Sequence, residues 1–148
     1  MQKCTLALGC FWKPEENFKN KSGIIETEVG YAGGKKPKVT YEEVCTGSTD
    51  HAEVVRLTFD EDVIKFEKII DLFFKMHDPT QKDMQYPDVG SQYRSEIFYE
   101  NEEQKIIATE FKNKLNAKYD GNIETNISEI KNYCKAEEYH QKYIERKK

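Results

Sequence analysis

The stretch LALGCFWKPEENF, residues 6–18, places a thiol between an apolar run and helix-like sequence. Cys10 follows Gly9 and is followed at once by Phe11 and Trp12. At a strand end and helix start, unsatisfied backbone N–H groups and the helix dipole favour the thiolate, which is the nucleophilic form. A free cysteine is as often a small buried hydrophobe, and position alone leaves both readings open. The neighbours weigh toward chemistry. Consecutive aromatics cannot all point into one core, so at least one ring is expected to line a surface. A thiol against an apolar wall suits a substrate with a small apolar group beside a reactive polar atom.

Two further clusters carry candidate groups. In TYEEVCTGSTDHAEVV, alternation puts Glu53 on the strand face shared by Val55, Leu57 and Phe59. A carboxyl among apolar neighbours keeps its proton to higher pH and suits a general acid, whereas a strand-end glutamate facing solvent would not. His51, at the loop-to-strand junction, is either a structural histidine or the base of a Cys–His hydrolase. Cys45 lies beside a glycine loop and is read as a peripheral thiol. In YPDVGSQYRSEIFYE, Asp88 and Tyr93 flank Gly90. A phenol can polarise an oxygen and an aspartate can orient water, though both types also serve as loop scaffolding.

These residues have to be positioned by the elements around them. TLALG reads as a short buried strand and KPEENFKN as a helix start, with Pro14 near the first helical position. GIIETEVGYAGG is a strand breaking into a glycine loop that continues through residue 50, and HAEVVRLTFD is a strand by alternation. DVIKFEKIIDLFFKMH is a helix, with Val63, Phe66, Ile69, Ile70 and Phe73 at helical spacing. After a turn-rich stretch come a strand (YRSEIFYE), a helix (NEEQKIIATEFKNKLNAKY), a strand (NIETNISEI) and a terminal helix (AEEYHQKYIERKK). The order β-α-β-β-α-β plus an α-β-α extension predicts an α+β fold. We expect a two-layer α/β sandwich with a ferredoxin-like, split-βαβ core and a mixed sheet. Long loops at 34–50 and 77–91 mark where function concentrates.

The 148 residues fit one domain, expected to be a single catalytic unit over 1–148. A formal net charge of −4 gives no basic stripe for nucleic acid, and no apolar run reaches the roughly 20 residues that span a bilayer. The N-terminus has no signal-peptide pattern, and four cysteines without an export signal point to a reducing, cytoplasmic setting. The histidines lie far from any cysteine at zinc-ligand spacing, so no metal site is expected.

GCFW, GYAGG, YEEVCTGSTDHAEVV, HDPTQ, DVGSQYRS and the closing AEEYHQKY occur in the order and spacing of the A-type peptide-methionine (S)-S-oxide reductases, and the sequence resembles that family over nearly its whole length. The resemblance implies that Cys10 attacks the sulfoxide sulfur and that Phe11 and Trp12 form the pocket for the substrate's methyl group. It implies that Glu53 is the acid meeting the sulfoxide oxygen, that Tyr41 and Tyr93 donate hydrogen bonds to it, and that Asp88 supports the site. The family reduces the S epimer of methionine sulfoxide, free or in proteins, and leaves a sulfenic acid on cysteine. It implies no metal or organic cofactor.

Two departures from the family pattern stand out. Asp50 occupies a position that is glycine in many members, and its carboxylate is expected to face solvent. The sequence through Lys148 also shows no glycine-rich, cysteine-bearing tail of the kind that many members use to resolve the sulfenic acid. Cys134 is the best internal substitute. The expectation is instead a single-cysteine cycle completed by an external thiol: thioredoxin, glutaredoxin or glutathione. The competing readings are a Cys–His thiol hydrolase using His51 and a non-enzymatic redox-sensing or sulfoxide-binding module.

Overall fold

A computed structural model describes all residues 1–148. Strand β1 (Gln2–Leu8) leads into helix α1 (Trp12–Lys19), then β2 (Ile24–Ala32), a short α2 (Tyr41–Cys45) and β3 (Ala52–Phe59). Helix α3 (Phe66–Met76) follows, then two-residue strands β4 (Met84–Gln85) and β5 (Asp88–Val89), and β6 (Ser95–Tyr99). The chain closes with α4 (Glu102–Asn116), β7 (Asn126–Glu129), β8 (Cys134–Lys135) and α5 (Tyr143–Arg146).

Six strands form one mixed sheet in the order β7-β6-β1-β3-β2-β8. All neighbours are antiparallel except β6 and β7. Alternation explains which face is buried deepest. Cys4, Leu6 and Leu8 of β1, Val29 and Tyr31 of β2, and Val55, Leu57 and Phe59 of β3 share one face. Phe18 of α1, Ala108 of α4 and the stripe Phe66, Ile69, Ile70, Phe73, Phe74 of α3 pack onto it. The opposite face holds a smaller cluster of Ala7, Ala32, Ala52, Val54 and Phe98. Glu53 belongs to the first face, as its alternation predicts, and is buried there.

Several local expectations are corrected. Residues 41–45 are helical, because Thr40 and Glu43 form a capping box at the α2 N-terminus. Val63 lies outside α3 and is exposed, since that helix starts only at Phe66. Pro14 is the third helical residue, because α1 begins at Trp12 with Phe11 as its cap. The turn-rich stretch contains the hairpin β4–β5, with a cis bond between Tyr86 and Pro87 at its tip. The terminal segment is not one helix. A 3-10 turn over Glu138–His140 is separated from α5 by Lys142 in the left-handed conformation (φ 54°).

Candidate active site

Chain direction places Cys10. At the end of β1, Gly9 adopts φ 93°, and an added Cβ there would come within 3.0 Å of the Gln85 side chain. The chain therefore turns tightly beneath the β4–β5 hairpin and delivers Cys10 to the mouth of α1. The thiol is partly exposed and accepts a hydrogen bond from the Trp12 backbone N–H. Burial nevertheless dominates. Desolvation outweighs that N–H, and with the nearby charges of Glu53 and Asp88 the thiol is pushed up to about 12. The helix-start N–H does lower the thiol, as its position predicts, but burial outweighs it.

Glu53 lies 1 % exposed at the start of β3, where its Oε1 accepts the Phe11 backbone N–H at 3.2 Å. Burial raises its carboxyl to about 8, partly offset by that hydrogen bond and reinforced by the negative charge of Asp88. The acid is accordingly protonated at neutral pH. Tyr93 ends a 3-10 turn that follows Gly90 and reaches the same place. Burial raises its phenol to about 12, with Glu53, Cys45, Asp88 and Cys10 adding negative charge nearby. Tyr41 is the first residue of α2 and is also raised, by burial first and by a hydrogen bond with the Cys45 thiol second. At neutral pH both phenols therefore keep their hydrogens and can donate them. Asp88 sits on β5, opposite Gln85, and acts on Cys10, Glu53 and Tyr93 through its charge.

The two aromatics divide. Phe11 is buried against Tyr31 (5.7 Å between ring centroids) and His140 (5.1 Å). Trp12 is the ring that stays partly exposed. Its indole N–H donates to Nδ1 of His140 at 3.0 Å, and Tyr143 stacks on it at 3.8 Å with an 8° interplanar angle. Because an indole N–H only donates, Nδ1 of His140 must be the unprotonated nitrogen. The Glu137 carboxylate accepts the Tyr31 hydroxyl at 2.8 Å and the Tyr41 backbone N–H at 2.9 Å, fastening α2 to the terminal segment.

Cys10, Phe11, Trp12, Tyr41, Glu53, Asp88 and Tyr93 thus converge, while two other candidates do not join them. His51 is buried, and its Nε2 is 2.8 Å from the Lys36 carbonyl, to which it can only donate. It also packs so tightly against Gly34 that a Cβ there would lie 2.4 Å from its ring. That places it in the scaffold of the 34–51 loop and gives the hydrolase reading no base. Cys134 pairs with Tyr31 on β8, and Tyr31 pairs with Glu53. Two strand spacings, roughly 10 Å, separate Cys134 from Glu53. Glu137, His140 and Tyr143 are functional-site neighbours that the sequence reading missed. The only sequence signal for them was the aromatic and histidine density of EYHQKY.

A partly exposed thiol, a protonated buried carboxyl and two protonated phenols beside an indole define a cysteine-centred site suited to a polar oxygen on an apolar group. The chain belongs to the peptide methionine sulfoxide reductase family, whose sequence model matches residues 2–148. It is 54 % identical over 147 residues to "Peptide methionine sulfoxide reductase MsrA" of Pelagibacter ubique, covering 99 % of this chain and 100 % of that one. Among solved structures, Mxr1 of Saccharomyces cerevisiae in reduced form superposes with a TM-score of 0.92 at 38 % identity, over 98 % of this chain and 84 % of that one. Mxr1 solved in complex with Trx2 matches with a TM-score of 0.68 at 28 % identity, over 96 % of this chain and 84 % of that one.

Proposed function

We propose that the protein reduces the S epimer of methionine sulfoxide, free or in proteins, to methionine, with Cys10 as nucleophile. The observation that carries this reading is the Glu53 carboxyl, held near 8 within the site that also contains Cys10. Attack on a sulfoxide sulfur is unfavourable while its oxygen keeps the negative charge, so an acid must meet that oxygen. Protonated Glu53 supplies the hydrogen, and Tyr41 and Tyr93 donate hydrogen bonds to the same oxygen. The partly exposed Trp12 ring receives the methyl group, backed by the buried Phe11 ring.

The step balances as a two-electron oxygen transfer. The Cys10 thiol and the sulfoxide give a Cys10 sulfenic acid and the thioether; the substrate sulfur is reduced and the Cys10 sulfur oxidised. As the polarised sulfur is attacked, the thiol proton passes to the Glu53 carboxylate left by the first transfer, so the attack starts from the resting thiol near 12. An external thiol then attacks the sulfenic sulfur and releases water, and a second thiol frees Cys10 as a thiol. The Mxr1–Trx2 complex supports a thioredoxin-like reductant, and we place the protein in a reducing, cytoplasmic setting. No helix is long and apolar enough to cross a membrane.

We read residues 1–148 as a single catalytic domain. The central order β6-β1-β3-β2, with α1 and α3 as crossovers, supports reading its core as a two-layer, ferredoxin-like split βαβ unit.

Dithiothreitol-dependent reduction of both epimers of a methionine sulfoxide peptide tests the activity. Loss of only the S form is expected, with no loss in Cys10→Ser. Persistence of both epimers with the wild-type protein sinks the proposal.

A further inference from the structure

The segment after β8 is tied to the site at a point outside the reacting groups. Glu15 lies on α1, three residues beyond Trp12 and therefore on the same helix face. Its carboxylate is 1 % exposed and accepts three kinds of donor: the Thr27 hydroxyl at 2.8 Å, the Lys142 backbone N–H at 2.7 Å and the Lys142 ammonium at 3.1 Å. The same ammonium donates to the Thr27 carbonyl at 2.8 Å and its hydroxyl at 2.9 Å. A buried carboxylate is tolerable only with such a set of partners.

Lys142 is also the residue that turns the chain. Its left-handed conformation, φ 54° and ψ 38°, is disfavoured for a non-glycine residue. On one side of this turn stands His140, whose Nδ1 accepts the Trp12 indole N–H. On the other side Tyr143 lies flat on the same indole. The turn and the two contacts to Trp12 are thus geometrically one unit, and Glu15 holds the turn by both its backbone and its side chain.

We propose that the Glu15–Lys142 pair is a positioning element of the site. It fixes the left-handed turn that clamps His140 and Tyr143 onto Trp12, and so sets the indole wall against which the substrate's methyl group is held. The second half of this statement rests on the reading of Trp12 as pocket wall; the first half does not.

Trp12 is the only tryptophan in the chain, so its fluorescence reports the clamp directly. Lys142→Met removes the ammonium, and Glu15→Gln removes the charge while keeping the side chain's shape. With either variant, acrylamide quenching of Trp12 is expected to rise about twofold. KM for a methionine sulfoxide peptide should rise about tenfold with kcat within about threefold, the pattern of lost substrate binding. Unchanged quenching and KM in Glu15→Gln would overturn the proposal, as would a change in kcat alone. Trp12→Ala separates the two readings. If it leaves KM unchanged, the pocket assignment fails, while the quenching result still decides whether the pair positions the indole.

Discussion

Glu53 and Cys10 both keep their protons at neutral pH, and for one physical reason: each would have to ionise in a buried site that already contains Asp88. For Glu53 the raised value is a cost to folding. A carboxyl raised from 4.5 to about 8 is neutral in both folded and unfolded chains at low pH. As pH climbs, the unfolded chain ionises first, so stability is lost through that window until the folded carboxyl ionises too. Glu53→Gln keeps the acceptor for the Phe11 N–H and removes the cost. It should therefore be more stable than wild type by on the order of 3 kcal/mol at about pH 7, and equal to it near pH 4, by urea unfolding. The same variant should lose sulfoxide reduction by about a hundredfold or more, the usual scale for losing an acid. In the wild type, kcat/KM should fall as pH rises through about 8, with no rising limb in the neutral range, because the thiol titrates only near 12. A rising limb near neutrality would mean that the thiolate, and not the thiol, is the attacking form. Asp88→Asn should move the falling limb to lower pH, since it removes a charge that raises Glu53.

Among the elements, α2 is the one whose formation matters most for its size. Five residues cannot sustain a helix alone, so the Thr40–Glu43 capping box and the Glu137 carboxylate must hold Tyr41 in place. Thr40→Ala should cost about 1 kcal/mol. Because Tyr41 is the first residue it holds, kcat should fall severalfold while KM changes less, as steady-state kinetics would show. Asp50, just before β3, is exposed and sits at φ 65°, a conformation that favours glycine. Asp50→Gly should raise stability by up to about 1 kcal/mol without altering kcat, measurable in the urea midpoint. The capping box is written in the letters TYEE, yet the stretch reads as loop because one helical turn is too short to show a period. Strand β3 was legible, faces included, since eight alternating residues carry a strong period. The β4–β5 hairpin was not, because two-residue strands have no pattern. The terminal helix was misread for a different reason: helix-forming letters surround Lys142, and only its tertiary partners Glu15 and Thr27 select the left-handed turn.

At the scale of the molecule, the site is assembled from the ends of β1 and β3, the cap of α2, the β4–β5 hairpin and the terminal segment. That assembly bears on how the catalytic cycle closes. Glu53, Asp88 and Tyr93 stood out as candidates in the sequence and Tyr41 entered only through the family resemblance; the contribution from 137–143 left no signal of its own beyond the letters EYHQKY, since contacts across 128 residues, as between Trp12 and His140, leave no local trace. The same architecture keeps Cys4 and Cys134 from Cys10, whereas Cys45 lies near enough to the site to act on Tyr93 through its charge. Cys4 is fully buried in β1. Cys134 is separated from the Cys10 side of the sheet by β2 and β3, and Tyr31, which pairs with Cys134, packs its ring on Phe11. A disulfide requires Cα atoms within about 7 Å, so β8 would have to detach for Cys134 to reach. Cys45, at the end of α2, is exposed, and its thiol is engaged with the Tyr41 hydroxyl. We therefore expect one equivalent of methionine sulfoxide, without reductant, to leave a sulfenic acid on Cys10 that is trapped by dimedone and seen by mass spectrometry. Cys134→Ser should turn over with thioredoxin within about twofold of wild type, because a resolving cysteine would instead act as a unit with the nucleophile. A Cys10–Cys134 disulfide would show that β8 leaves the sheet during the cycle, and a Cys10–Cys45 disulfide that α2 unwinds. Either product would replace the single-cysteine cycle with an internal one.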